Sequence, residues 1–387
     1  MYLIEVTDKK TRRLFYDVIR EIYKNNDVFV CPLDREIEKI FTPSENAFYE
    51  NGDAVRWILT NENGDLLGRV AAFYNMDKAK AQRQLTGGMG FFECINDQTA
   101  AFMLFDQCKK WLSEHGMEAM DGPSNFGEND NYTGLLVEGF IHPNHGMNYN
   151  HPYYKDLFEA YGFQAFFEQV SNHLDLAKPF PERFWKIADW LEKKPGYTFE
   201  HFRYKDSERF INDLKSVYDR AWKNHEHFIP MSKALLREEL NKAKVILVEE
   251  FIWFAYHEGE PVAFLLMFPD VNQILKHLNG RMNIWNSLKF MYLKYRKTMT
   301  RTRITIMGVV PEYQRLGIES GLFRQLDKVM SKRPHFTEIE LSWVGDFNAK
   351  MKAVHNAVGA TFAKRHMNYR KLFDEEQQFK KMKAIPK

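Results

Sequence analysis

The stretch RITIMGVVPEYQRLGIESGLFRQLDKVM, residues 303–330, decides the predicted fold. It is typical of a β-branched strand, a turn led by Pro311 and a helix. The apolar stripe of that helix consists of Ile318, Leu322, Leu326 and Val329. A strand, turn and helix in this order point the N–H groups of the first helical turn and the positive end of the helix dipole at one spot. The small Gly317 in the entry turn would let a pyrophosphate approach that spot closely.

This stretch resembles the acetyl-CoA signature of the GNAT superfamily of N-acetyltransferases. In that family a strand ending in V-x-P is followed by Q/R-x-x-G-x-G/A at the start of a helix. Residues 309–311 (VVP) and 314–318 (QRLGI) match both parts in order and spacing, whereas Glu319 stands where the family has Gly or Ala. Its carboxylate could crowd or repel a pyrophosphate.

The resemblance implies acetyl-CoA or another acyl-CoA as co-substrate and a backbone N–H near Val309 as the donor to the developing oxyanion. The implied acyl-CoA-binding residues are Val309, Val310, Gln314, Arg315, Leu316, Gly317, Ile318 and Asn348. His355 takes the position of the Tyr that family members use to protonate the departing CoA thiolate, so the resemblance implies a catalytic role for it. Imidazole must be protonated to act as such an acid. No general base is assigned: Glu340 is the nearest conspicuous carboxylate, and an exposed strand residue is its alternative interpretation.

The two halves of the chain repeat one plan. A hairpin predicted at residues 55–74 has a counterpart at 251–268 at an offset near 196, and residues 160–166 correspond to 357–363 at an offset of 197. We therefore predict an α/β protein (mixed α+β) of two tandem GNAT-like domains, each a mostly antiparallel central sheet flanked by helices. The prolines near 179–181 place the boundary between domains at 1–178 and 179–387.

The first half keeps the fold signals and loses the acyl-CoA signals. Its corresponding turn, residues 93–98, has no Q/R-x-x-G-x-G/A, and Phe158 stands where the thiol-protonating Tyr would be. The resemblance implies a non-catalytic domain that helps to form the substrate cleft. Asn125 and Glu128, from the amide- and carboxylate-rich segment 122–131, are the candidate substrate contacts, and a turn that caps its own backbone is the alternative.

The segment 270–302 has no counterpart in the first half and is predicted to be an insertion. Its later part, residues 286–303, carries six Lys and Arg residues and no Asp or Glu. An anion-binding or membrane-surface patch is one interpretation, and an amphipathic surface helix that runs into a strand is the favoured one.

Composition narrows the classes of function. The chain has 387 residues, 44% of them hydrophobic and 15% aromatic, which excludes global disorder and fits two domains. A formal charge of +2 argues against nucleic acid as a partner. The sequence has no CxxC pair and no His cluster, so we predict no metal site. No stretch approaches the roughly 20 apolar residues of a membrane span, so we predict a cytoplasmic location.

Two classes of function remain open. The first is an acyl-CoA-dependent N-acyltransferase that acts on a small-molecule or peptide amine. The second is a catalytically inactive module that keeps the tandem fold and binds a ligand or a protein. Transfer from aminoacyl-tRNA is a further enzymatic possibility, which the basic insertion supports only weakly. A Glu319 side chain turned into solvent would favour the enzyme, and a carboxylate in the phosphate position would favour the binding module. The oligomeric state stays open.

Overall fold

The computed structural model describes residues 1–127, 131–223 and 232–382. In these residues thirteen strands form one sheet. The strands are β1 (Tyr2–Glu5), β2 (Gly52–Thr60), β3 (Leu66–Asn75), β4 (Thr86–Cys94), β5 (Ala119–Gly122), β6 (Leu135–Glu138), β7 (Gln164–Asp175), β8 (Tyr197–His201), β9 (Ile252–His257), β10 (Glu260–Pro269), β11 (Arg301–Val309), β12 (Glu338–Gly345) and β13 (Thr361–Leu372). The helices are α1 (Lys9–Ile22), α2 (Asp34–Ile40), α3 (Met76–Lys80), α4 (Gln98–Glu114), α5 (Tyr154–Tyr161), α6 (Glu182–Lys193), α7 (Ser207–Trp222), α8 (Lys233–Ala243), α9 (Asn272–Leu275), α10 (Ile284–Tyr295), α11 (Ile318–Met330) and α12 (Ala349–Ala357).

The sheet confirms the predicted fold class. Its strand order is β1-β2-β3-β4-β5-β13-β7-β12-β11-β10-β9-β8, and β6 pairs with β13. The β4–β5 and β11–β12 pairs are parallel, and the other pairs of described strands are antiparallel. Helices flank this mostly antiparallel sheet, so the molecule is a mixed α/β protein in which each half contributes one parallel pair.

Both predicted hairpins are present. β2 and β3 pair with Trp57 opposite Val70, and β9 and β10 pair with Phe254 opposite Phe264. The second hairpin turns at Glu258 and Gly259, whose φ angles are 51° and 86°, a conformation that glycine adopts without strain. The hairpins therefore form through the local turn chemistry that the sequence indicates.

The last strands of the two halves are exchanged. β7, from the first half, lies between β13 and β12, and β13, from the end of the chain, lies between β5 and β7. From β13, Tyr369 is buried in the core of the first half and donates a hydrogen bond to Glu159 at 2.9 Å. Arg370 next to it binds both carboxylate oxygens of Asp121 in β5, at 2.6 and 2.7 Å. The predicted domain boundary between residues 178 and 179 stays a prediction, and it concerns the sequence unit that was duplicated.

The burial of Glu340 contradicts one prediction from the sequence. The exposed strand position proposed as its alternative interpretation is wrong, because Glu340 is only 1% exposed. Its carboxylate forms an ion pair with the equally buried Lys364. Glu340 lies in β12 and Lys364 in β13, on either side of β7, so the pair ties the C-terminal strand to the second half.

Candidate active site

β11 and β12 run parallel and then separate, which leaves a gap in the sheet. They are paired from Arg301 and Glu338 to Ile304 and Leu341, and in the part of the chain that the structure describes no strand pairs with the rest of β11 on this side. We call this gap the β11–β12 opening. β11 stays paired with β10 as far as Val309, so the opening is bordered by a well-held strand edge.

The amide N–H of Val309 points into the β11–β12 opening. The N–H of Val310 donates to the carbonyl of Val262 at 3.0 Å, so these two residues form a hydrogen-bonded pair of the ladder. Hydrogen-bonded and non-hydrogen-bonded pairs alternate along an antiparallel ladder. Val309 and Ala263 are therefore a non-hydrogen-bonded pair, and the N–H of Val309 faces away from β10. Among the described residues no acceptor for this N–H is found.

The first half has the same strand geometry at Cys94. β4 pairs with β5 as far as Gly88 and then separates from it. The N–H of Ile95 donates to the carbonyl of Leu67 at 2.9 Å, and by the same alternation the N–H of Cys94 faces the gap between β4 and β5. Cys94 is thus the counterpart of Val309, since each ends a nine-residue strand.

In the first half that amide is occupied. The hydroxyl of Tyr154 accepts a hydrogen bond from the N–H of Cys94 at 2.9 Å, and Tyr153 donates to the carbonyl of Cys94 at 2.7 Å. At the offset of 197 residues, the counterpart of Tyr154 in α12 is Met351, which has no hydroxyl. The position closed by tyrosines in the first half is therefore open at Val309.

The loop after β11 has the shape that its sequence predicts. Pro311–Tyr313 form one 3-10 turn, and Gly317 precedes α11 with a φ of 84°. A Cβ added at Gly317 would lie 2.3 Å from the Cγ2 atom of Ile187 in α6. Glycine is therefore favoured here by the backbone conformation, and any other residue would also have to displace the side chain of Ile187.

The predicted acyl-CoA-binding residues lie together around this loop. Arg315 and Leu316 are exposed, whereas Val310 and Ile318 are buried and hold the loop to the core. The amide of Gln314 donates to the carbonyl of Val309 at 3.2 Å. Lys350 in α12 reaches the carbonyl oxygen of the same side chain at 3.5 Å. The start of α12 and the loop are thus neighbours, as the resemblance implies.

Glu319 lies in the first turn of α11, beside the place where an anion would bind. The amides of Ser320 and Gly321 bond to the carbonyl of Gly317, and the half-buried Glu319 carboxylate accepts a hydrogen bond from its own N–H. Burial raises the pKa of Glu319, and this hydrogen bond opposes the rise. The arrangement favours the binding-module alternative as long as the carboxylate stays there. Among the described residues no cation forms an ion pair that would keep it in place.

Asn348 and His355 belong to α12. Asn348 is the N-cap, and its side-chain oxygen accepts from the N–H of Met351 at 3.1 Å. His355 is buried, and its Nδ1 accepts from the amide of Asn172 in β7 at 2.9 Å. Burial lowers the pKa of His355 to about 4, so the ring is neutral near pH 7 with its proton on Nε2. Its role as a proton donor stays a prediction, and this pKa restricts the role to a neutral N–H.

Burial of His355 and His366 predicts a pH-dependent stability. Burial lowers the pKa of both rings to about 4, whereas an unfolded histidine titrates near 6.5. Between these values the unfolded chain binds protons that the folded chain does not. The free energy of unfolding should therefore fall as the pH drops from about 6.5 to about 4, by up to roughly 1.4 kcal/mol per pH unit for each histidine. Urea titrations at several pH values measure the free energy of unfolding. Between pH 6.5 and 4 this free energy should fall less steeply with pH for His355→Gln than for the wild type, and an equal fall in the two proteins would contradict the prediction.

Asn125 lies in a cleft of the first half. The cleft has an empty volume of about 690 Å³ and also contains Phe167 and Asn368. The Oδ1 atom of Asn125 is buried and unpartnered among the described residues. The ring of Phe167 packs at 5.7 Å against Phe347, which follows β12, so this cleft reaches the second half. Glu128, the other candidate contact, lies outside the described residues.

A buried polar cluster was not predicted from the sequence. Gln169 in β7 and His366 in β13 face each other, and Asn368 lies two residues further along the same face of β13. His366 Nε2 donates to the carbonyl of Asn148 at 3.0 Å. The unpartnered buried atoms in the described region are Gln169 Oε1 and Nε2, His366 Nδ1 and Asn368 Nδ2. The available signal was the alternation of polar residues at 366, 368 and 370 in an otherwise buried strand.

The residues that the structure describes contain no group of His, Cys, Asp and Glu side chains that could hold a metal ion. The three cysteines, Cys31, Cys94 and Cys108, are buried thiols. No helix in the described ranges combines the length and the apolar character needed to cross a bilayer.

Comparison with known sequences finds two distant relatives. The chain is 24% identical over 351 residues to the bacterial ceramide synthase of Caulobacter vibrioides, an alignment that covers 89% of this chain and 90% of that protein. It is also 24% identical over 326 residues to the protein YghO of Escherichia coli, with 81% of each chain covered. No family model matches the chain.

Comparison with solved structures concerns the fold. A tandem GNAT protein from the clavulanic acid biosynthesis pathway superposes with a TM-score of 0.57 at 10% identity, covering 97% of this chain and 99% of that one. A GCN5-related glucosamine N-acetyltransferase region of a fungal β-N-acetylglucosaminidase superposes with a TM-score of 0.58 at 11% identity. That match covers 96% of this chain and 38% of the longer fungal protein.

Proposed function

We propose that this chain, which has the tandem GNAT fold, is an acyl-CoA-dependent N-acyltransferase whose acyl carrier binds to the second half. The observation that carries the proposal is the difference between two equivalent amides. The N–H of Cys94 is occupied by Tyr154, whereas the N–H of Val309 faces the β11–β12 opening. A free amide at the end of this strand, beside the N-terminus of a helix, suits a thioester attached to a pyrophosphate.

The pantetheine arm of CoA carries amide groups that could pair with the free edge of β11. By the alternation described above, the N–H groups of Met307 and Val309 both face the opening. The pyrophosphate would lie at the N-terminus of α11, where the exposed Arg315 and the side chain of Lys350 are the nearby cations. The carboxylate of Glu319, in the first turn of α11, would repel a pyrophosphate bound there, so it must turn away when the pyrophosphate binds.

The proposed reaction forms an amide bond and breaks a thioester bond. The deprotonated nitrogen of the amine attacks the thioester carbonyl carbon, and the N–H of Val309 stabilises the resulting oxyanion. The tetrahedral intermediate then collapses, the C–S bond breaks and CoA leaves as a thiolate. The amine nitrogen loses one proton and the thiolate gains one, so charge balances. The proton that the nitrogen loses is the one that the sulfur gains, and the neutral His355 Nε2–H is the proposed hydrogen-bond donor to the departing thiolate.

For the acceptor we propose a long-chain amino alcohol. The support is the similarity to the bacterial ceramide synthase of Caulobacter vibrioides, since a ceramide is the N-acyl amide of such an amine. The cluster of Gln169, His366 and Asn368 offers two acceptors and two donors that lack partners among the described residues. An amino group and a neighbouring hydroxyl group could satisfy such a set.

The second candidate function is a ligand-binding module without turnover. The specific observation in its favour is the carboxylate of Glu319 at the N-terminus of α11. The two candidates predict opposite responses to acyl-CoA, so one titration series separates them.

Calorimetric titration with palmitoyl-CoA and acetyl-CoA tests the proposal. We expect measurable binding to the wild type and roughly tenfold tighter binding to Glu319→Ala, because a negative charge leaves the pyrophosphate position. Gly317→Trp should abolish binding, since a side chain at this φ of 84° strains the loop and an indole ring crowds the place where the pyrophosphate would approach. Glu312→Ala, which removes an exposed carboxylate from the same loop, is the matched control and should change the affinity less than about threefold. Absence of binding to both the wild type and Glu319→Ala would leave the binding module as the better account.

A further inference from the structure

Helix α10 presents a large apolar surface to solvent. Ile284, Trp285 and Tyr295 are 72%, 76% and 85% exposed. Seven of the 17 exposed large hydrophobic residues in the described part of the chain lie between positions 282 and 295, so they form one patch rather than a scatter. We call this patch the α10 surface; it consists of Met282, Ile284, Trp285, Leu288, Met291, Tyr292 and Tyr295. A patch of this kind on a soluble domain marks an interaction site.

The α10 surface is a second apolar stripe on a helix that already has one. Phe290 is buried, and the half-buried Asn286 and Leu293 lie on the same side, toward the body of the protein. The outward stripe runs through Ile284, Leu288 and Tyr295, at helical spacing. A helix that packs against a domain normally turns a polar face to water. The composition of the outward face is therefore not explained by the fold.

The surroundings of the α10 surface are positively charged. Residues 271–311 contain eight Lys and Arg residues and no Asp or Glu. Arg301 is paired internally with Asp270. Lys276, Lys289, Arg296 and Lys297 are exposed around the helix. Trp and Tyr rings next to Lys and Arg side chains are the composition of helices that lie at the interface of a bilayer.

The helix is held firmly in this position. Asn283 caps it by accepting from the N–H of Asn286 at 2.9 Å, and Lys289 donates to the carbonyl of His277 at 2.9 Å. The segment before α10 is anchored to the first half, where the N–H of Asp34 donates to the carbonyl of Gly280 at 2.9 Å. The α10 surface is thus preorganised, and little conformational entropy is lost when it binds a partner.

We propose that the α10 surface docks the protein on a lipid bilayer that contains anionic headgroups. The helix has 12 residues, about 18 Å, and would lie in the plane of the interface with its outward rings among the headgroups and upper acyl chains. A second copy of the chain is the less favourable occupant. A two-fold contact would bring two sets of basic residues together without acidic partners, whereas lipid phosphates complement them.

Docking at this place would bring the first half close to the lipid surface. Gly280, just before α10, packs against Cys31 and Pro32. Pro32 borders a cleft of about 740 Å³ of empty volume that also contains Phe29 and Met147. This docking is independent of the proposed reaction, because it requires neither acyl-CoA nor turnover.

Flotation of the full chain with vesicles tests the proposal. We expect the wild type to float with vesicles of phosphatidylcholine containing about 30% phosphatidylglycerol, and less with phosphatidylcholine alone. The triple variant Ile284→Ser, Trp285→Ser, Leu288→Ser should lower the partition coefficient by roughly tenfold or more, because the apolar area that enters the interface is lost. Arg296→Gln together with Lys297→Gln should weaken binding to the anionic vesicles and reduce its salt dependence.

Trp190→Ser is the matched control, since Trp190 is 53% exposed on α6, outside the α10 surface. It should leave flotation unchanged. A wild type that fails to float, or a triple variant that floats equally well, would overturn the proposal. A wild type that forms a dimer in light scattering, with a monomeric triple variant and no vesicle binding, would assign the surface to a second copy instead. Calorimetry with acyl-CoA is unaffected by any of these outcomes, so failure of docking and failure of the proposed reaction are distinguishable.

Discussion

Replacing Lys364 by methionine is expected to lower the free energy of unfolding by about 3–5 kcal/mol. Lys364 and its partner Glu340 are each 1% exposed. Removal of the ammonium leaves the carboxylate of Glu340 buried without its ion-pair partner, and the loss of both its Coulombic attraction and its hydrogen bond outweighs the added apolar packing of methionine. The exchanged strand β13 should lose its hold on β12 first. Urea denaturation followed by far-UV circular dichroism measures the effect.

A double variant distinguishes the pair from simple packing. Lys364→Met combined with Glu340→Leu removes both charges, so it should recover at least half of the lost stability. Lys178→Met is the control for a lost lysine, because Lys178 is 74% exposed in its ion pair with Asp175 and should cost less than about 0.5 kcal/mol. A loss below about 1 kcal/mol for Lys364→Met would mean that water reaches Glu340.

The elements that rest on local chemistry were predictable. The hairpins at β2–β3 and β9–β10 are each marked by apolar runs around a turn. The stretch 303–330 shows its strand, its turn and its helix because Pro311 and Gly317 impose local backbone conformations. Each of these signals acts over a few residues.

The exchange of β7 and β13 was not predictable in the same way. Both strands have 12 residues. Their partners are chosen by long-range contacts such as Arg370 with Asp121, which are 249 residues apart in sequence. Pairing between distant strands leaves no periodic trace in either segment.

The candidate site was predicted in part. The loop residues and Asn348 follow from a spacing that the family resemblance makes visible, and they are neighbours in the structure. The cluster of Gln169, His366 and Asn368 was missed because it forms only when β7 and β13 meet. The difference between Cys94 and Val309 was missed because it depends on ladder register and on a tyrosine from another element, neither of which a motif describes.

Val309→Pro is expected to lower kcat by roughly 10²–10³-fold. Proline removes the N–H that we propose as the oxyanion donor. The substitution spares the β10–β11 ladder, because the N–H of Val309 does not point toward β10. The carbonyl of Val309 still accepts from Gln314, so the loop keeps its anchor. The rate is measured as the release of CoA from palmitoyl-CoA, with sphinganine as the amine probe. Calorimetry measures the affinity for acyl-CoA, which should change less than about fivefold.

Two further variants make this expectation specific to the amide. Val309→Ala trims the side chain and keeps the N–H, so its kcat should stay within about threefold of the wild type. Met351→Tyr places a hydroxyl at the counterpart of Tyr154, the residue that occupies the amide of Cys94. It should therefore reproduce the closed first-half site and lower kcat by about as much as the proline does. Equal rates for Val309→Pro and Val309→Ala would show that the transition state makes no contact with this amide, and the second half would then need another oxyanion donor.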